Sequence, residues 1–231
     1  MVFRSHDSHP RLSRMLAQHN RHKQGTRPRR CTIPTLNPKP SAAHSLTRSA
    51  QFSLGSLARS QVVALRLYTT LVYMYMNSPL RDDVRYQQGR ACPLPVTTFH
   101  AERGIKKLRA LHVDAAVQEA VLWRGMRSVR VSDGFLSQGG TELAFMSTTR
   151  DLGVAVRYSL SAHSLIFKIL VPDFISLGAD LQWLSAFPGE AEILYPPLTY
   201  LRPTGRADRV EVDRADGRVC FTVIELRAAM A

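Results

Sequence analysis

The sequence predicts an α+β fold, with helices leading and strands following. Apolar residues recur at helical spacing from Gln61 to Met76. From Ala120 onward the apolar runs are short, rich in β-branched and aromatic residues, and separated by turn residues. No internal repeat is present, and helices do not alternate regularly with strands, so the segregated order argues for α+β.

The elements follow in chain order. Val62, Val63, Leu65, Leu67, Leu71, Val72 and Met74 mark one helix that runs to the breaker Asn77-Ser78-Pro79. Further helices are expected over 101–110 and 113–120. Residues 120–126 and 143–147 read as strands. A short helix over 150–158 would be capped by Thr148 or Thr149, with Asp151 favourable in its first turn. Ser164 to Val171 is an apolar strand, and residues 179–185 suggest a helical turn. Strands are expected over 192–195 and 199–201, divided by Pro196-Pro197. A hairpin closes the chain, with strands over 210–212 and 219–226 and a turn at Asp216-Gly217.

The chain has 231 residues, is 45% hydrophobic and carries a net charge of +13, so it can build one sizeable core. The charge is uneven. Residues 1–50 hold ten Lys and Arg against Asp7 alone, a surplus of +9; the other 181 residues hold 21 basic and 17 acidic groups, a surplus of +4. Residues 1–50 are therefore expected to be a basic, disordered tail, and 51–231 the folded domain. An Arg- and Ser-rich, acid-poor tail also suits an organelle transit peptide. Cys31, Cys92 and Cys220 fit no zinc or disulfide spacing, so reduced thiols in an intracellular, cytoplasmic setting are expected, with no metal. The stretch 61–76 is too short to span a bilayer, and no secretory leader is visible.

Three local features carry chemistry. In Leu122-Trp123-Arg124-Gly125-Met126 an arginine interrupts an apolar strand. Burying it requires an anion, either a ligand's diphosphate or carboxylate or a structural acid. Gly125 would let a ligand approach the main chain. In Phe145-Met146-Ser147-Thr148-Thr149, three hydroxyls at a strand–helix junction can hold ribose hydroxyls, orient a carboxylate or cap the helix. Ser147 is in step with Phe145 and so faces the core. In Phe187-Pro188-Gly189-Glu190-Ala191-Glu192, two carboxylates leave a turn together; on an extended strand they would share a face. Two such acids can divide a reaction, one supporting a developing cation and the other steering the nucleophile.

Arg124, Ser147 in a Ser-Thr-Thr step and Glu190-Ala191-Glu192, in that order, resemble the R-S-E mono-ADP-ribosyltransferases. The stretch 187–201 is most similar to the arginine-specific branch, and Leu67-Tyr68-Thr69 and Asn77-Ser78-Pro79-Leu80-Arg81 are similar to that branch's leading helices. The resemblance covers about residues 60 to 205. It implies a split β-sandwich around an NAD-binding cleft, with NAD as co-substrate (NADP remains open). Arg124 would clamp the NAD phosphates, and Gly125 would offer main-chain hydrogen bonds to the nicotinamide amide. Ser147 would brace Glu192; Glu192 would bind the nicotinamide ribose and stabilise its cationic transition state. Glu190 would orient the guanidinium of an arginine-bearing acceptor protein. Tyr158 would stack on nicotinamide or serve an ordinary packing role. Ser-Thr-Thr departs from the usual Ser-Thr-Ser, and Trp123 stands where Tyr or Phe is more usual.

The expected activity is transfer of one ADP-ribose from NAD to protein arginine. An NAD glycohydrolase with water as main acceptor is the near alternative. An inactive NAD- or ADP-ribose-binding relative is a second class. Nucleic-acid binding through the basic tail is a third, disfavoured by the nearly balanced charge of the remainder and by the lack of a nucleic-acid motif.

Overall fold

A computed structural model describes residues 56–111, 119–214 and 217–230, all within one compact unit of the chain. The basic segment 1–50 lies outside the described residues.

The helical lead is α1 (Arg59–Tyr68), α2 (Tyr73–Arg81), α3 (Asp83–Gln87) and α4 (Pro95–Leu111). The single helix expected over 61–76 is broken at 69–72. Thr69 Oγ1 donates to the Arg66 carbonyl at 2.9 Å and Thr70 Oγ1 to the Leu67 carbonyl at 2.7 Å. These side chains take carbonyls that the next helical turn would use, and the chain turns there. Helix α4 starts six residues earlier than expected, with Pro95 in its first position, where a missing N–H costs nothing. It crosses α1 closely: a Cβ on Gly104 would lie 2.9 Å from Leu65 Cδ1. The helix expected over 113–120 falls outside the described residues except at its end, where Ala120 opens a strand.

Eight strands follow: β1 (Ala120–Arg127), β2 (Gly140–Glu142), β3 (Met146–Thr149), β4 (Ser164–Val171), β5 (Ala179–Asp180), β6 (Glu192–Tyr195), β7 (Thr199–Arg214) and β8 (Gly217–Ala229). Two helices interrupt them, α5 (Asp133–Gln138) and α6 (Leu152–Ser159). The strand order is β2-β7-β8-β4-β1-β3-β6-β5. β4 and β8 run parallel; the other neighbours are antiparallel.

The sheet nearly parts at its middle. β1 pairs with β4 along its whole length but with β3 only at Trp123 opposite Thr149. One core, which includes Leu122, Phe167, Ile169, Ile193, Tyr195 and Ile224, lies against the larger half-sheet. A second joins Leu65, Tyr68, Met76, Ile105, Phe145 and Leu194, so it fastens the helical lead to β3 and β6. All four residues of β6 are buried, and its alternate side chains enter the two cores.

Other expectations require correction. The strand expected over 143–147 is strand only at 146–147, the start of β3; residues 143–145 form the gap after β2, because side chains capture main chain there. Glu142 Oε1 accepts from Ala144 N at 3.1 Å, and Asn77 Oδ1 accepts from Phe145 N at 3.2 Å. The helix over 150–158 is capped by Asp151, whose Oδ1 accepts from Gly153 N at 2.7 Å; Thr148 and Thr149 are used elsewhere. The helical turn expected over 179–185 begins as strand β5 on β6. The strands expected over 199–201 and 210–212 are one long strand. Its register with β8 shifts between Pro203 and Ala207, with Gly205 at φ +88°.

Buried Asn77 joins the helices to the sheet through both ends of its amide. It accepts from Phe145 N and donates to the Tyr68 hydroxyl at 3.1 Å and the Phe145 carbonyl at 3.4 Å. Asn77→Ala leaves buried polar groups without partners, so we expect a loss of about 2–3 kcal/mol, read as a lower midpoint in urea unfolding.

Candidate active site

The expected site residues gather where β1 and β3 separate. Arg124 extends from β1 to β3, and its Nη1 donates to the Ser147 carbonyl at 2.8 Å. Its Nη2 lies 3.7 Å from Glu142 Oε2. Burial pushes the Arg124 pKa down, and Glu142 opposes that shift. Glu142 also binds Arg81 in a two-pronged contact, with Nε at 2.8 Å from Oε1 and Nη2 at 3.1 Å from Oε2. Two guanidinium groups thus surround one carboxylate. The local charge is positive, which suits an anionic diphosphate. Motif reading singled out neither Glu142 nor Arg81 as a site residue; a lone acid beside a turn and a helix-terminal arginine look like solvated groups.

Gly125 also meets a structural need. A Cβ there would lie 1.8 Å from the Ala155 carbonyl oxygen and 3.0 Å from Ser159 N. Helix α6 approaches this glycine closely. The residue seats α6 against β1.

The Ser-Thr-Thr step holds the acidic segment with all three hydroxyls. Ser147 hydrogen-bonds the Glu192 carboxylate. Thr148 Oγ1 donates to the Ile193 carbonyl at 2.7 Å. Thr149 Oγ1 donates to the Glu190 carbonyl at 2.6 Å and accepts from Asp151 N at 3.0 Å. Ser147 therefore contacts both sides of the site, Arg124 through its carbonyl and Glu192 through its hydroxyl.

The two acids do not lie on one strand. Glu190 ends a 3₁₀ turn (Pro188–Glu190), Ala191 is left-handed at φ 45°, ψ 50°, and Glu192 opens β6. Strand alternation thus does not bring them together; the kink at Ala191 does. Glu192 is buried, 8% exposed. Burial raises its pKa from 4.5 to about 7; the Ser147 hydroxyl opposes the rise, and the charge of Glu190 adds to it. Tyr158, on α6, is 52% exposed and donates its hydroxyl to Glu190 Oε1 at 2.7 Å. Buried Tyr68 lies in the same field. Desolvation pushes its phenol pKa up, the Glu192 charge adds to that, and Arg124 and Arg81 oppose it.

Residues 12–215 match the family model "NAD:arginine ADP-ribosyltransferase". This chain belongs to that family. NAD-dependent ADP-ribosyl transfer to arginine is the chemistry for which that family is named. The chain is 30% identical over 155 residues to the ADP-ribosyltransferase toxin AexT of Aeromonas salmonicida, which covers 64% of this chain and 28% of that protein. It therefore spans little more than a quarter of that relative's length.

Solved structures share the fold. Plx2a, an ADP-ribosyltransferase toxin from Paenibacillus larvae, superposes with a TM-score of 0.56 at 13% identity, over 78% of this chain and 90% of that one. Vis toxin from Vibrio splendidus gives 0.54 at 18% identity, over 85% and 89%. HopU1 from Pseudomonas syringae gives 0.55 at 18%, over 78% and 81%. Among the described residues no cluster of three or more metal-ligating side chains occurs, and no helix is long and apolar enough to cross a membrane. Cys92 and Cys220 are free thiols.

The raised pKa of Glu192 makes ionisation unfavourable for folding. The native state holds this proton more tightly than the unfolded chain, so the contribution of Glu192 to stability is greatest below pH 4.5 and falls as pH rises toward about 7. Glu192→Gln removes that penalty. We expect the variant to gain about 1–3 kcal/mol at pH 8 and much less near pH 4.5, read by thermal melts at both values.

Proposed function

We propose that this protein transfers one ADP-ribose from NAD to arginine side chains of acceptor proteins. The observation that carries the reading is the convergence of Arg124, Ser147, Glu190 and Glu192 on one seam, in a chain of the NAD:arginine ADP-ribosyltransferase family.

The donor set fits NAD. Arg124 and Arg81, sharing Glu142, would hold the diphosphate, and main-chain groups near Gly125 would receive the nicotinamide amide. NAD supplies a ribose already bonded to a good leaving group, so no strong general acid is needed. The chain's own work is electrostatic. The Glu192 carboxylate, desolvated and oriented by Ser147, lowers the energy of positive charge on the ribose. Ser147 keeps it aimed and ties it to Arg124 through its own carbonyl. Glu190, nearer solvent than Glu192, would receive the acceptor guanidinium by its fork and take its proton as the new bond forms. Tyr158 stands beside Glu190 at the mouth of this arrangement.

The reading is tested with NAD and agmatine, a small guanidine, by measuring nicotinamide, free ADP-ribose and adduct together. Glu192→Gln should cut nicotinamide release about 100- to 1,000-fold. Glu190→Gln should lose the adduct yet keep measurable hydrolysis. Full transfer by either variant would overturn the roles, and a wild-type protein that yields only free ADP-ribose would show water as the acceptor.

Catalysis needs Glu192 ionised, so kcat/KM for NAD cleavage should fall about tenfold per pH unit on the acid side of about pH 7. The positively charged nicotinamide ring of bound NAD would favour the carboxylate, so the limb of kcat should lie lower than that of kcat/KM. An acid limb near pH 4, identical in both profiles, would assign the titration to another group.

A further inference from the structure

Glu190 sits in an unpromising place for an aimed group: a 3₁₀ turn of three residues, followed by a left-handed alanine. Yet it is fixed at two points. Thr149 holds its carbonyl at 2.6 Å, and the Tyr158 hydroxyl holds carboxylate oxygen Oε1 at 2.7 Å. Tyr158 is itself fixed. It stands in the last turn of α6, its carbonyl accepts from Arg127 Nε of β1 at 3.0 Å, and α6 is seated against β1 at Gly125. Arg127 Nη2 also holds the Arg157 carbonyl at 3.1 Å. The helix therefore acts as a strut, with a phenol at its end aimed at the carboxylate.

We propose that Tyr158 is a positioning residue that aims Glu190 and so sets how ADP-ribose divides between arginine and water. This rests on the arginine reading above. In either branch the ribosyl–nicotinamide bond breaks, its electron pair leaves with nicotinamide, and one proton is released. The new bond forms to a guanidino nitrogen or to the oxygen of water. Only the guanidine branch needs a carboxylate held in one plane, because a planar fork binds well only to an oriented partner. Tyr158 takes one of the two acceptor sites on Oε1 and restricts rotation of the group, so a site on each oxygen is left to meet the fork of the acceptor. Its role lies in the hydroxyl. A stacking role would need only the ring, whereas the bond to Glu190 needs the hydroxyl.

The experiment compares wild type, Tyr158→Phe, Glu190→Gln and the double variant in NAD and agmatine, scoring adduct formed per nicotinamide released. Tyr158→Phe should lower that share about tenfold and raise the KM for agmatine, because one hydrogen bond to a charged group is lost. The double variant should match Glu190→Gln, since Tyr158 acts through Glu190. An unchanged share in Tyr158→Phe, beside a wild type that forms adduct, would overturn the assignment and favour a role for the ring. A further drop in the double variant would place the action of Tyr158 elsewhere and overturn it equally. A wild type that releases nicotinamide but forms no adduct would overturn the arginine reading, and this proposal with it.

Discussion

A guanidinium held at the line where a sheet almost divides governs the rest of this structure. Arg124 must lose water to sit between β1 and β3, and a desolvated cation requires compensation from whatever surrounds it. The Ser147 carbonyl supplies part of that, from the far half-sheet. Glu142 supplies the rest, and its own burial is offset by Arg81 and by the main chain at Ala144. The chain of charges links the helical lead to β2, β1 and β3. Trp123 opposite Thr149 is the sole register pair between β1 and β3, so these polar contacts replace the ladder that the seam lacks. The opening in the ladder and the residues that line it therefore have one cause.

The opposite side of the seam carries costs that serve chemistry more than stability. Glu192 is buried with another acid near it, so ionising it is unfavourable. Ala191 holds a left-handed conformation that a residue with a Cβ adopts reluctantly. Both costs concentrate charge at one place. A carboxylate stripped of water acts strongly on a neighbouring cation, whereas the same group in solvent would be screened. The hydroxyls of Ser147, Thr148 and Thr149 hold the segment in this arrangement, one bond to each of three successive features of it.

Much of this was legible in the residues, and the parts that were not share a reason. β1, β4 and β6 follow from their apolar runs, and β4 and β6, buried on both faces, need little beyond composition. Arg124 and the paired acids stood out because charge inside an apolar run is costly. The failures came where side chains captured main chain. Thr69 and Thr70 ended a helix whose periodicity continued, Glu142 and Asn77 held the first residues of an expected strand out of the sheet, and Asp151 took the cap assigned to its neighbours. Most of these captures are local and one, Asn77 on Phe145, is distant in sequence; apolar periodicity carries no signal for either kind. Gly125 shows a further case. The need for a glycine was visible, but the close approach of helix α6 to it was not, and only the tertiary fold could reveal it.

The two departures from the family's usual residues, Trp123 and Thr149, are best understood together. They are Cα partners at the one rung joining β1 to β3, and directly opposed residues of an antiparallel pair share a face. A larger indole and an added methyl thus meet at the narrowest tie across the seam. The methyl leaves the hydroxyl free for its work: Thr149 Oγ1 still bridges the Glu190 carbonyl and Asp151 N. It also favours the extended backbone that β3 needs, because a β-branched side chain suits a strand better than serine does. Both departures fall at the one rung across the seam, and neither adds or removes a charged group. The substitutions therefore alter the support of the site and leave its chemistry in place.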